Sequence, residues 1–123
     1  MIALIDPFKE EMLERGFLAH HIGIKVNLER GTASLVKSED ACKRQSEVLN
    51  YIREREIDDI DTYTHEEVME LACDFVGDKI VVCNISEYDG NSEWYVDLLD
   101  YWIEIFSHVV AEIAMHKYFN TEK

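Results

Sequence analysis

Over residues 92–118 the apolar side chains recur at helical spacing for about seven turns at 3.6 residues per turn, and no other segment constrains the fold as strongly. Leu98, Leu99, Trp102, Ile103, Ile105, Phe106, Val109, Val110 and Ile113 cover one side of that helix, while Asp97, Asp100, Glu104 and Glu112 lie opposite. The pattern predicts one long helix with a core face and a bare acidic ridge, because no Lys or Arg occurs in it before Lys117. An apolar arc of roughly half the circumference exceeds what a small domain needs to cover, so part of it is expected to bury against a second copy, giving a homodimer.

The remaining punctuation is that of a single domain spanning 1–123. The chain has one proline and five scattered glycines, with no repeat and no low-complexity linker;. Asp6 followed by Pro7 predicts a helix start, and Phe8, Met12 and Leu13 give it an apolar stripe before Gly16. Ile22, Ile24, Val26 and Leu28 alternate with Gly23, Lys25 and Asn27, which is strand periodicity, and Gly31 offers a turn into 32–37, so a hairpin is expected. Ser38 caps a second helix carrying Ala41, Gln45, Val48, Leu49 and Ile52 and ending near Ile57. Thr64 with Glu67 forms a capping box for a third helix, with Val68, Leu71, Ala72 and Phe75 on one face and Gly77 at its end. The run IVVCNI at 80–85 is β-branched and bounded by turn residues, which predicts a short buried strand. The expected class is α+β: about four helices, a small antiparallel or mixed sheet and a long C-terminal helix.

Charge carries the functional expectation. The chain has 26 acidic and 12 basic residues, a formal net charge of −14. Residues 62–123 alone hold 13 acids against 3 bases, and between Glu56 and His116 the sole Lys or Arg is Lys79. Carboxylates without local partners are expected to face water, where their field repels DNA, RNA and anionic lipid and steers the domain toward a basic surface. That predicts a small inhibitor or immunity-type protein, of the nucleic-acid-mimic kind used in phage anti-defence, with no cofactor and no direct nucleic-acid contact. Its expected partner is a basic protein, such as a nuclease or another nucleic-acid-binding protein. The residues assigned to that face are Asp58, Asp59, Asp61, Glu66, Glu70, Asp74, Asp97, Asp100, Glu104 and Glu112. Solubility alone is the competing account of the same charge.

Other motifs are incomplete. Ala19 and Gly23 have helix-turn-helix spacing, but Glu29 occupies a position that needs an apolar residue. Asp59, Asp61, Glu67 and Glu70, and likewise Asp89, Asn91, Glu93, Asp97 and Asp100, fall on calcium-loop positions, yet Thr64 and Trp94 stand where the turn glycine belongs. His108, Glu112 and His116 are four apart, but the helical wheel places His108 with the acids and tilts His116 toward the apolar arc, so no metal site is expected there. His65 falls within a capping box and His20–His21 beside a strand start. Cys42, Cys73 and Cys83 are odd in number and lack CxxC spacing, which predicts reduced thiols. The start MIALIDPFKEEMLERG has no signal-peptide pattern and no stretch reaches the roughly 18 apolar residues of a membrane span, which predicts a cytoplasmic protein. Two further readings stand beside the inhibitor: a small enzyme or nucleotide-processing domain with its site near Cys83, Tyr88, Asp89 and Asn91, and a structural homo-oligomer.

Overall fold

A computed structural model describes residues 5–27, 29–30, 32–81 and 92–120. Its first helix, α1 (Ile5–Glu14), sets Phe8 and Met12 one turn apart, so both face inward and are almost fully buried;. Leu13, expected in the same stripe, points outward and is about half exposed. Gly16 adopts φ +94° and ends the helix, a conformation that strains any residue with a Cβ;. A Cβ there would meet the His65 Cβ at 3.4 Å, close to an ordinary contact, so it is the turn that calls for glycine. Arg15 fastens the same junction: its Nη2 donates to the carbonyls of Asp61, at 2.6 Å, and Tyr63, while its own carbonyl accepts the His65 N–H at 2.8 Å.

A single 3₁₀ turn, Ala19–Ile22, buries His21 and Ile22 and leads into an antiparallel hairpin of β1 (Ile24–Asn27) and β2 (Thr32–Leu35), with Ile24 opposite Leu35 and Val26 opposite Ala33. Next comes α2 (Glu39–Glu54), where the Ser38 hydroxyl accepts the Ala41 N–H at 3.1 Å. A second 3₁₀ turn, Ile60–Thr62, precedes α3 (His65–Phe75), whose capping box between Thr64 and Glu67 is complete. Ser38 and the Thr64–Glu67 box therefore stand where the sequence put them.

The protein is mostly helical, and among the described residues its only strand pairing is the β1–β2 hairpin. This corrects the expected sheet. Gly77 does not end α3; the chain continues in wider i→i+5 turns over Val76–Val81, so Ile80 and Val81 are helical rather than the start of a strand. The rest of IVVCNI, and Cys83, Tyr88, Asp89 and Asn91 with it, lie outside the described residues. An apolar run of six is compatible with buried helix or buried strand, and periodicity alone does not separate them.

The long helix is α4 (Ser92–Asn120), and α2, α3, both 3₁₀ turns, the hairpin and α1 all lie against it. From Ile105 to Ala111 every side chain is buried, Ser107 and His108 included. The helix is thus the centre of the fold rather than an amphipathic cover. Phe75 stacks against Trp102 and Phe106, with ring centroids 4.6 and 5.3 Å away, and Tyr51 meets Phe75 at 5.1 Å. Trp102 and Phe106, which suggested a dimer face, are covered by the chain itself, whereas Ile113 is partly covered.

Candidate functional site

Four of the five histidines gather on one side of α4. The turn Ala19–Ile22 carries His20 and His21, the first residue of α3 is His65, and α4 supplies His108 one turn after Glu104. The rings of His20 and His21 lie 4.2 Å apart, His21 and His65 5.1 Å, and His21 and His108 5.5 Å, centroid to centroid. Three imidazoles converge on the Glu104 carboxylate. His20 Nε2 is 2.8 Å and His108 Nε2 3.1 Å from Oε1, and His21 Nε2 is 2.9 Å from Oε2. His65 is turned to Ser107: the Ser107 hydroxyl donates to the Ile103 carbonyl at 2.7 Å and so accepts the His65 Nε2–H at 3.1 Å;.

Access is one-sided. His21 and His108 are buried, while the side chains of His20 and Glu104 are 57% and 38% exposed, so the cluster meets solvent on the side of His20 and Glu104. Burial pushes the His21, His65 and His108 imidazoles below their usual pKa and keeps them neutral, although Glu104 pulls each the other way;. Burial would raise the Glu104 carboxyl, but the hydrogen bonds from His21 and His20 outweigh it and hold the group below the usual carboxylate value. The result is an ionised carboxylate held between the buried, neutral imidazoles of His21 and His108.

Beyond the cluster, Glu112 takes Lys37 as an ion-pair partner in a contact that is mostly buried, and His116 approaches its other oxygen at 3.7 Å. The helix-wheel assignment of α4 is therefore corrected at four residues. Glu104 and Glu112 are not on a solvated ridge, and His108 is buried while His116 is the exposed one. Their partners arrive from distant segments, which local sequence does not show.

The other acids expected on the binding face divide in two. Asp61 pairs with Lys117 at 3.2 Å and Asp74 with Arg55 at 3.6 Å. Asp58, Asp59, Glu66, Glu70, Asp97 and Asp100 are exposed, and no ion pair forms to them among the described residues. Glu66, Glu70 and Asp74 stand four apart on α3 and form one stripe, repeating about every 6 Å along the axis;. Asp97 and Asp100 occupy the exposed side of the first turns of α4. Cys42 and Cys73 are free thiols at the surface. Comparison with known proteins finds no matching family model, no matching curated relative and no matching solved structure.

Proposed function

We propose that the domain is a small acidic binding protein that neutralises a basic, nucleic-acid-binding partner through the carboxylates around α3 and the start of α4. The observation that supports this reading is the stripe Glu66, Glu70 and Asp74, with Asp58 and Asp59 just before the helix and Asp97 and Asp100 as further exposed acids. Like charges four apart on a helix destabilise it by roughly 0.2–0.5 kcal/mol per pair, and among the described residues only Asp74 of this stripe has a cation nearby;. A chain that keeps such a stripe tolerates a folding cost that a basic ligand would offset. Carboxylates at a regular spacing on a rigid helix would also meet a phosphate-binding surface through counterion release, as DNA does.

The test is charge reversal confined to the solvated acids. A variant with Glu66→Lys, Glu70→Lys, Asp97→Lys and Asp100→Lys should fold, since exposed charges contribute little to stability. Glu104 and Glu112 must be spared, because reversing them would disrupt the interior. Immobilised wild type should retain a basic protein from host lysate at low salt and release it at high salt, and the variant should bind that protein with an on-rate lower by at least about tenfold. Equal capture by both proteins would reduce the acidic face to a solubility device.

A further inference from the structure

The three imidazoles on Glu104 are not equivalent. His21 Nδ1 accepts the Leu18 backbone N–H at 3.2 Å, which leaves its single proton on Nε2 and fixes it as a hydrogen-bond donor to Glu104 Oε2;. His108 is buried and its Nδ1 has no hydrogen-bond partner, so that nitrogen can take the proton once Nε2 gives up its hydrogen bond to Glu104 Oε1. His20 is exposed, and its ring is free to do the same in contact with water. Those two imidazoles meet the same carboxylate oxygen, Oε1, from two sides at 2.8 and 3.1 Å. A ligand atom from each of His20, His21 and Glu104 also falls within 4.8 Å of the others, and His108 Nε2 reaches the same carboxylate from α4 at 3.1 Å.

We infer that His20 Nε2, His108 Nε2 and Glu104 Oε1 form a binding site for a divalent first-row metal ion of the zinc class, with His21 acting as the positioning residue that holds the carboxylate. Two imidazoles and one carboxylate suit Zn²⁺ and its neighbours and leave the remaining coordination positions to water or a further ligand. Glu104 and His108 are at i, i+4, the spacing at which two helix residues share an ion, and His20 closes the set from the turn;. Binding replaces the Nε2 protons of His20 and His108, which move to Nδ1, with a cation facing an anionic oxygen. The nearby Lys37 ammonium is already paired with Glu112 and does not oppose the ion as a lone charge. His21 gives Glu104 the donor that metal-bound carboxylates take from their surroundings. This site departs from the expectation that His108 serves no metal, and it stands apart from the acidic binding face.

The experiment uses the full chain after chelation and dialysis, titrated with Zn²⁺ by calorimetry and with Co²⁺ by visible absorption. Wild type should bind one ion, with Co²⁺ giving the bands of a low-coordinate nitrogen and oxygen site. His20→Ala changes an exposed side chain, keeps the fold, and should weaken Zn²⁺ at least about a hundredfold, because even outer-shell losses cost 10–100-fold. Glu104→Gln should do the same if folded. Nitrogen-15 imidazole spectra of wild type read the ligands without any mutation: on Zn²⁺ addition the Nε2 signals of His20 and His108 should move to metal-bound positions while His21 keeps its Nε2 proton. Failure of wild type to bind Zn²⁺ at micromolar concentration overturns the site, as does unchanged affinity in His20→Ala. Metal-bound Nε2 on His21 in place of His108 overturns the assignment of ligands.

Discussion

The pairing of Lys37 with Glu112 is the most direct check on the orientation of α4, because a solvated acidic ridge and a buried ion pair respond differently to losing one partner. The Lys37 side chain, just after β2, is 12% exposed and that of Glu112 28%, and Lys37 Nζ also donates to Gln45 at 2.7 Å. Fully exposed pairs are worth about 0–1 kcal/mol. Removing one member of a buried pair costs about 3–5 kcal/mol, because the survivor stays desolvated and uncompensated. With the pair mostly but not wholly buried, Lys37→Met should destabilise by about 2 kcal/mol. Glu112→Gln should cost less, since the amide oxygen still accepts from Lys37. In the double variant Lys37→Met/Glu112→Leu no charge is stranded, and the cycle should show a coupling of at least about 1 kcal/mol. Urea unfolding at neutral pH reads these values as a midpoint shift of about 1 M for Lys37→Met at unchanged slope. A loss below about 0.5 kcal/mol, or one that added salt removes entirely, would put Glu112 back on a solvated ridge and refute the placement.

Two other outcomes follow from the same interior. In protein freed of metal by chelation, stability should fall as pH drops below about 6.5. The folded His21, His65 and His108 hold pKa values depressed first by burial, so the unfolded chain takes up their protons sooner;. Their contribution is complete above the unfolded value and is lost as pH falls through the folded ones, while Glu104, held low by its imidazole donors, adds a loss of the same sign below about 4.5;. The two fully buried rings set a slope of at most about 2.7 kcal/mol per pH unit, with His65 adding less because it is partly solvated, and equal stability at pH 5.5 and 7.5 would sink this account;. Glu56, after α2, sits at φ +55°, where a side chain is strained, and Glu56→Gly should raise stability by up to about 1 kcal/mol in thermal unfolding;. A loss of stability there would mean that the Glu56 side chain makes a contact outweighing the strain.

What the sequence revealed was local. Ser38 reaches Ala41 and Thr64 reaches Glu67, bonds that close within three residues and leave a signature in residue type and spacing. The hairpin is local as well, since β1 and β2 are adjacent and alternate at period two. The histidine cluster is not: His21 meets Glu104 across 83 residues and His65 meets Ser107 across 42. Helical periodicity placed Glu104 and His108 among solvated acids because a wheel ranks residues by polarity, whereas a polar side chain goes inside once a distant partner satisfies it. The signals available in advance were the His20–His21 dipeptide and the four-residue step from Glu104 to His108. The acidic face was legible only in part, because Lys117, Arg55 and Lys37 reach their carboxylates from other elements.

Because α4 fills the middle of the fold, the order of synthesis matters. Residues 5–81 emerge first and include the walls of a core, Phe8, Met12, Val48, Val68 and Phe75 among them, whose central post is still unmade. At ribosomal rates the remaining stretch takes on the order of seconds, and during that time those apolar walls have nothing to close on. Packing is then completed by contacts of long sequence separation, which places folding after the synthesis of α4. A chain interrupted before α4 would be no smaller version of the domain; it would be an unfolded polypeptide exposed to proteases and chaperones.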